Sequence, residues 1–357
     1  MGPSAAETTD PPPVDRLSLP PGFTLSLFSA AVPGARSLAR GADGTLYVGT
    51  RQESVYAVQD TDGDHVADRV VVIAEGLNMP NGVAVQGEDL YVAEVGRILR
   101  WKGIAKKLSR PGKPEVVTDR YPEDRHHGWK FIAFGPDGKL YVPVGAPCNI
   151  CDPDEPYAAL TRINPNGGDF EIVARGIRNT VGFDWRPGTK EIWFTDNGRD
   201  HLGDTKPPCE LNRITEVGQH FGYPYCHGGD IPDPEFGKKR KCSEFRPPAR
   251  RLVAHAAPVG MRFYTGKSFP SKYQGRIFVA EHGSWNRSRK VGYRVMTASV
   301  DTAGQVVAYE PFISGWLDEE AQQAWGRPVD VLVMPDGALL VSDDRAGAIY
   351  RVHHAGT

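Results

Sequence analysis

Asp137-Gly138-Lys139-Leu140-Tyr141-Val142 is a tight turn followed by a short apolar run, and the chain repeats that phrase six times in all. The other copies are Asp43-Gly44-Thr45-Leu46-Tyr47-Val48, Glu88-Asp89-Leu90-Tyr91-Val92, Gly188-Thr189-Lys190-Glu191-Ile192-Trp193-Phe194, Gly275-Arg276-Ile277-Phe278-Val279 and Asp336-Gly337-Ala338-Leu339-Leu340-Val341. Turns of this kind supply the positive φ that tight strand connections need. Another apolar run precedes five of the copies, at 82–85, 131–134, 181–185, 259–263 and 329–333. Each unit therefore reads as a hairpin. Six hairpins in 357 residues leave about 60 residues per unit, enough for a four-stranded blade with its loops. Helical periodicity of any length is hard to find. The expected fold is all-β, a six-bladed β-propeller forming a single domain over residues 18–357; a seven-bladed ring or paired β-sandwiches is the alternative. Phe23-Thr24-Leu25-Ser26-Leu27-Phe28 is expected to pair beside Ala348-Ile349-Tyr350-Arg351-Val352 and close the ring. The long interval between Trp193 and Phe278 reads as an insertion over one face, and residues 1–17 as a disordered lead-in.

Composition agrees with this. Glycine and proline together make up about a fifth of the chain, against a usual ~12%, as many tight loops require. A 40% hydrophobic share with 24% charged residues excludes a disordered chain. The net charge of −2 gives no basic field, so nucleic acid is not an expected partner. No run approaches the ~18 apolar residues of a membrane span, and Met1 to Pro13 lacks the apolar core of a signal peptide.

Cysteines stand at 148, 151, 209, 226 and 242. Cys148-Asn149-Ile150-Cys151 is followed by Asp152, not His, so it is no c-type haem site. Its prolines argue for a loop, and no second pair completes a zinc site. The preferred assignment is Cys148–Cys151 and Cys226–Cys242, with Cys209 unpaired; five reduced thiols are the plain alternative. Two disulfides imply an oxidising compartment, so the expected location is periplasmic or secreted.

In a propeller the innermost strand of each blade lines the channel, and function usually sits in the loops at one rim. Residues entering inner strands are Asn81, His126-His127-Gly128-Trp129, Arg178-Asn179 and Arg327; those leaving second strands include 196–204, 282–287 and 343–345. A buried histidine there can act as general base. An arginine cluster suggests a ligand carrying carboxylates. Singly, each is as readily a satisfied structural residue or a blade-edge ion pair; their coincidence on one rim is what points to a site.

Three segments carry a family resemblance. His127-Gly128-Trp129-Lys130-Phe131, Arg175-Gly176-Ile177-Arg178-Asn179 and Thr195-Asp196-Asn197-Gly198-Arg199-Asp200 resemble the catalytic-histidine, Arg-Asn and calcium segments of the soluble PQQ-dependent glucose/sorbosone dehydrogenases. Gly145-Ala146-Pro147-Cys148-Asn149-Ile150-Cys151 and 221–230 are similar to the sorbosone and pyranose dehydrogenase branch, and the likeness runs from about residue 18 to 353. The resemblance implies PQQ and Ca²⁺ as cofactors, His127 as base and Arg178 beside the reacting carbonyls. By it Asn81, Asn179, His282 and Arg327 bind PQQ, with Arg287 added from the same rim, and the backbone oxygens of Gly198 and Arg199 bind Ca²⁺. Val329 stands where the glucose branch has a second arginine, so the carboxylate grip is expected to differ. The implied substrate is a sugar or sugar aldehyde, with electrons passing to an external acceptor such as a quinone, dye or cytochrome. Trp129, Trp285 and Tyr225 are candidates to stack on a sugar.

Asp60, Asp62, Asp64 and Asp68 alternate like a calcium loop and are a candidate structural Ca²⁺ site, or else a solvated turn. Lys238-Lys239-Arg240-Lys241 reads as a solvated loop, with docking of an acidic acceptor as its functional alternative. Competing with the dehydrogenase are a calcium lactonase using Asn81, Asn179 and Asp330 around a central metal, and a non-catalytic binding propeller.

Overall fold

The computed structural model describes residues 11–354. Six four-stranded antiparallel blades follow one another around a ring. Blade 1 comprises Ala35–Arg40, Leu46–Thr50, Val55–Gln59 and Arg69–Ala74; blade 2 comprises Gly82–Gln86, Asp89–Ala93, Ile98–Trp101 and Glu115–Thr118. Blade 3 is built from Ala133–Phe134, Leu140–Val144, Ala159–Ile163 and Glu171–Arg175, and blade 4 from Phe183–Trp185, Ile192–Asp196, Cys209–Ile214 and Arg250–Leu252. Blade 5 runs Pro258–Phe263, Ile277–Glu281, Arg294–Val300 and Val306–Ile313. Blade 6 takes Pro328–Val333, Leu339–Asp343 and Ala348–His354, with Phe23–Ser29 as its outer strand. Among the described residues helix is limited to four short 3₁₀ turns, and none is long and apolar enough to cross a membrane. The fold is the expected six-bladed propeller, and the seven-bladed and sandwich alternatives fall.

The repeated phrase makes the second strand of each blade, and packing explains its apolar runs. Leu46–Thr50, Leu140–Val144, Ile192–Asp196, Ile277–Glu281 and Leu339–Asp343 are buried at every position. Both faces of such a strand meet a neighbouring blade, so alternation is lost. Within the blades, exposed positions fall on outer strands such as Arg69–Ala74 and Glu115–Thr118. Gly138, at φ +75°, makes the turn of blade 3 in a conformation that disfavours side chains. Gly260 serves convergence at the axis: a Cβ there would lie 2.6 Å from the Val329 carbonyl of the next blade.

Ring closure uses the expected pair of strands, in a register that sets Leu25 opposite Val352 and Leu27 opposite Tyr350. Phe23 anchors it, its ring meeting Phe269, Tyr273 and Phe312 edge-on at centroid distances of 4.7, 5.1 and 5.0 Å. The expected lead-in lies partly outside the described residues; within them Val14–Arg16 forms a 3₁₀ turn and Leu17 is buried. Ser18 bridges to Ser314. The long interval leaves blade 4 after Ile214 and lays Gln219–His220 parallel to Glu171–Arg175 as a fifth strand on blade 3. It then turns through a small hairpin and returns at Arg250 to finish blade 4. Cys148–Cys151 and Cys226–Cys242 are disulfides, and Cys209 is a buried free thiol.

Candidate functional site

Inner-strand entries and second-strand exits meet at one mouth of the channel around a cavity of 590 Å³, within the size range of small-molecule sites. Of the residues named from sequence, His127, Arg178, Asn179, Gly198, His282 and Arg327 line it.

His127 sits at the entry to blade 3 with φ +52°, its ring almost fully buried. Nδ1 lies 2.9 Å from the Ala146 carbonyl oxygen. A carbonyl only accepts, so Nδ1 carries the hydrogen and Nε2 keeps its lone pair. Nε2 has no hydrogen-bond partner among the described residues. Burial, then Arg178 and His126, hold the ring well below the usual histidine range, which favours the neutral form whose Nε2 carries a lone pair.

Arg178 and Asn179 begin the next inner strand. The sequence suggests a ladder from Val181, but pairing starts at Phe183. Above it the Asp196 carboxylate accepts the N–H groups of Arg178 and Asn179, at 2.9 and 2.7 Å. A side chain thus replaces the missing strand neighbour. The Arg178 guanidinium donates to Asn149 O at 2.8 Å, Asn149 Oδ1 at 2.9 Å and Asn197 O at 3.1 Å, with Asp200 at 3.4 Å. The Asn179 side-chain amide faces the cavity without a partner among the described residues.

The opposite wall comes from blades 1, 5 and 6. Asp344 accepts from Arg36 at 2.5 Å and lies 2.9 Å from His282 Nε2. Burial pushes the Asp344 carboxyl up, but His282, Arg36 and Arg327 outweigh it and hold it well below the carboxylate range. His282 is pulled down to about 4, by burial first, against the pull of Asp344. Arg327 donates to the carbonyls of His282 and Gly283, at 3.0 and 2.7 Å. Arg51 lies over the Trp129 ring at 3.7 Å; burial and the nearby Arg36 lower it to about 10. The Trp129 indole N–H is buried without a partner among the described residues.

A third wall is built on Asp200. It receives Asn286 Nδ2 at 3.2 Å and lies 3.6 Å from His255 Nδ1. That contact raises the His255 pKa. Trp285 stands at the mouth, 70% exposed, with its ring 6.0 Å from His201. Cys209 lies in the cavity wall, and burial pushes its thiol up to about 11, which leaves it unreactive.

The lining therefore carries Arg36, Arg51, Arg125, Arg178 and Arg327 against Asp200 as its acid. Arginines so placed suit a planar ligand with several carboxylates. Unpaired groups await such a ligand: the Asn179 amide, the Trp129 N–H and the neutral His127. The carbonyls of Gly198 and Arg199 accept no hydrogen bond among the described residues, and Gly198 borders the cavity; hard oxygen donors of this kind suit Ca²⁺.

Several expected residues sit elsewhere. Asn81 is buried beneath the cavity, where its Oδ1 accepts from Arg36 Nε at 2.7 Å and its Nδ2 donates to Ser37 and the Lys130 carbonyl; it orients Arg36 and lines nothing. Arg287 is absent from the lining, its guanidinium donating to the carbonyls of Arg289 and Ala254. The Arg199 side chain pairs with Asp233 at 2.7 Å, leaving only its backbone near the site. Tyr225, in the insertion, donates to Asp152 of the blade 3 loop at 2.6 Å. Asp60, Asp62 and Asp68 gather within 4.8 Å while Asp64 stays out, its Oδ1 taken by Val66 N. Lys239 and Arg240 are engaged with Asp152 and Glu244, so that basic run is only partly solvated. Asp330 accepts the Leu38 N–H and lies 3.4 Å from Arg262. Val329 is buried among apolar residues, and the cations of this wall come instead from Arg36 and Arg51. Those two were missed because the blade 1 inner strand, Ala-Arg-Ser-Leu-Ala-Arg, is not an apolar run. The rule that chemistry follows a second strand would have found Arg51, one residue past Thr50.

The TrAA12-like family profile matches residues 17–355. An uncharacterized protein of Borreliella burgdorferi is 34% identical over 351 residues, covering 95% of this chain and 91% of that protein. Among solved structures, the Trichoderma reesei carbohydrate-active enzyme of family AA12 superposes with a TM-score of 0.83 at 18% identity, over 95% of this chain and 97% of that one. The holo PQQ domain of pyranose dehydrogenase from Coprinopsis cinerea gives 0.79 at 17%, with the same coverage. PQQ-bound aldose sugar dehydrogenase from Streptomyces coelicolor gives 0.67 at 20%, over 94% and 99%.

Proposed function

The chain belongs to the TrAA12-like family, and on that footing we propose that it is a PQQ- and Ca²⁺-dependent dehydrogenase of sugars or sugar aldehydes. The observation that carries this is a cavity ringed by five arginines with an unpartnered, neutral imidazole nitrogen in its wall. When bound, PQQ supplies the carbon that accepts hydride and Ca²⁺ polarises its carbonyl. Arg36, Arg51, Arg178 and Arg327 hold its carboxylates and carbonyls, Asn179 donates to it, and the carbonyls of Gly198 and Arg199 hold the ion.

His127 Nε2 takes the proton of the substrate hydroxyl as the C–H bond breaks, and the Ala146 carbonyl keeps the ring in the tautomer that can do so. Arg178 sits beside the developing negative charge, its direction set by Asn149 and Asn197. Trp285, exposed at the mouth, offers a face for the sugar. The two electrons leave to a separate quinone, dye or cytochrome. The disulfides support a periplasmic or secreted location.

Reconstitution tests the proposal: the protein is incubated with PQQ and Ca²⁺, and dye reduction is followed with aldoses and sugar aldehydes. PQQ-dependent turnover is expected. Absence of both a bound-PQQ spectrum and turnover would overturn it, and lactone hydrolysis with Ca²⁺ alone would favour a lactonase.

A further inference from the structure

One short segment, Gly145-Ala146-Pro147-Cys148-Asn149-Ile150-Cys151, touches three walls of the cavity. The Ala146 carbonyl fixes His127, and the Ala146 N–H donates to the Arg178 carbonyl at 2.8 Å. Asn149 accepts Arg178 Nε on its backbone oxygen and Arg178 Nη2 on Oδ1. The same Oδ1 accepts the Asp200 N–H at 2.8 Å, and Nδ2 donates to the Asp200 carbonyl at 3.3 Å. Asn149 thus sets both the guanidinium and the carboxylate that faces it. Nothing in regular secondary structure holds Asn149 itself. It is bracketed by the Cys148–Cys151 disulfide, with Cα atoms 6.1 Å apart, and Cys151 N donates to the hydroxyl of buried Tyr223 at 3.1 Å. Both cysteines are half-buried, within reach of a small dithiol.

We propose that Asn149 is the positioning residue of the anion site, and that the Cys148–Cys151 disulfide is a thiol-controlled clamp on it. A dithiol attacks one sulfur to give a mixed disulfide. Its second thiol then displaces the remaining cysteine, leaving two protein thiols and the oxidised reagent. The opened loop regains conformational freedom, Arg178 loses its two fixed acceptors on Asn149, and the cavity binds anions less tightly. The inference rests on the proposed function in using PQQ as probe.

The test uses the whole chain, oxidised or treated with dithiothreitol, with two readouts. One is PQQ affinity by tryptophan fluorescence. The other is the Nε–H signal of Arg178 by NMR, identified by its loss in Arg178→Lys. Reduction and Asn149→Ala are each expected to weaken PQQ binding about tenfold, the scale of one charge-assisted hydrogen bond, and to make the Nε–H exchange rapidly. Reoxidation restores both. A Cys148→Ala/Cys151→Ala protein should start at the reduced-state affinity and ignore dithiol, whereas Cys226→Ala/Cys242→Ala should still respond. Unchanged affinity and an unchanged Nε–H signal on reduction overturn the clamp; should Asn149→Ala not fold, the reversible reduction of the wild type decides. If the oxidised protein binds no PQQ, the proposed function falls, and the Nε–H signal alone decides the clamp.

Discussion

His127 shows how much chemistry one backbone position can carry. Its φ of +52° is uncommon for a residue with a side chain, and it brings Nδ1 onto the Ala146 carbonyl so that Nε2 faces the cavity. His127→Ala is expected to keep PQQ affinity near wild type while turnover falls by about 10²–10⁴, read by fluorescence titration and steady-state dye reduction; wild-type-like rates would refute the base. Trp285 makes a separable contribution. Trp285→Ala should raise the sugar KM severalfold with PQQ affinity unchanged, and a parallel loss of PQQ affinity would place the indole on the cofactor instead. His127, Arg178 and Asn179 were legible in the sequence because each sits in the few residues that lead into a recognisable strand. Asn81 also leads into an inner strand, yet its amide is consumed by Arg36, Ser37 and Lys130, a contact set that position along the chain does not reveal.

At the scale of elements, strands explain themselves more readily than loops. The second strands are buried on both faces, so they read as unbroken apolar runs, and all six were found. The inner strand of blade 1 was not, because Arg36 spends its charge on Asp344 instead of avoiding burial. Closure of the ring depends on Phe23–Ser29, whose first residue wedges between Phe269, Tyr273 and Phe312. Phe23→Ala should cost about 3 kcal/mol, the lower range for a core aromatic given its partial exposure. The urea midpoint checks this, and an unchanged midpoint would mean that the backbone ladder alone closes the ring. The insertion was legible as an extra segment, whereas its parallel pairing with blade 3 involves two residues and leaves no periodic trace.

For the whole molecule, a pH dependence of stability is expected from carboxyls buried between strands. Glu210 lies opposite Asp196 in blade 4, and burial, aided by Asp196, pushes it up to about 7 from a usual 4.5. The folded chain therefore keeps a proton that the unfolded chain releases, so stability falls as pH rises from 4.5 towards 7. The loss is on the order of 3 kcal/mol. Glu210→Gln should flatten this slope in the cofactor-free protein and stabilise it above pH 7, as urea midpoints across pH would show; parallel slopes for both proteins would dismiss Glu210 as the cause. What the sequence determined by itself was the ring: the repeat, the blade number, the closing strand and the rim on which chemistry collects. These follow from short-range patterns of turn and burial. What only the tertiary structure decided was which groups meet there. Arg36 and Asp344 are 308 positions apart, and Asn149 reaches Arg178 from the neighbouring blade. Such contacts arise because the ring brings different blades to one axis, and spacing along the chain does not record that convergence.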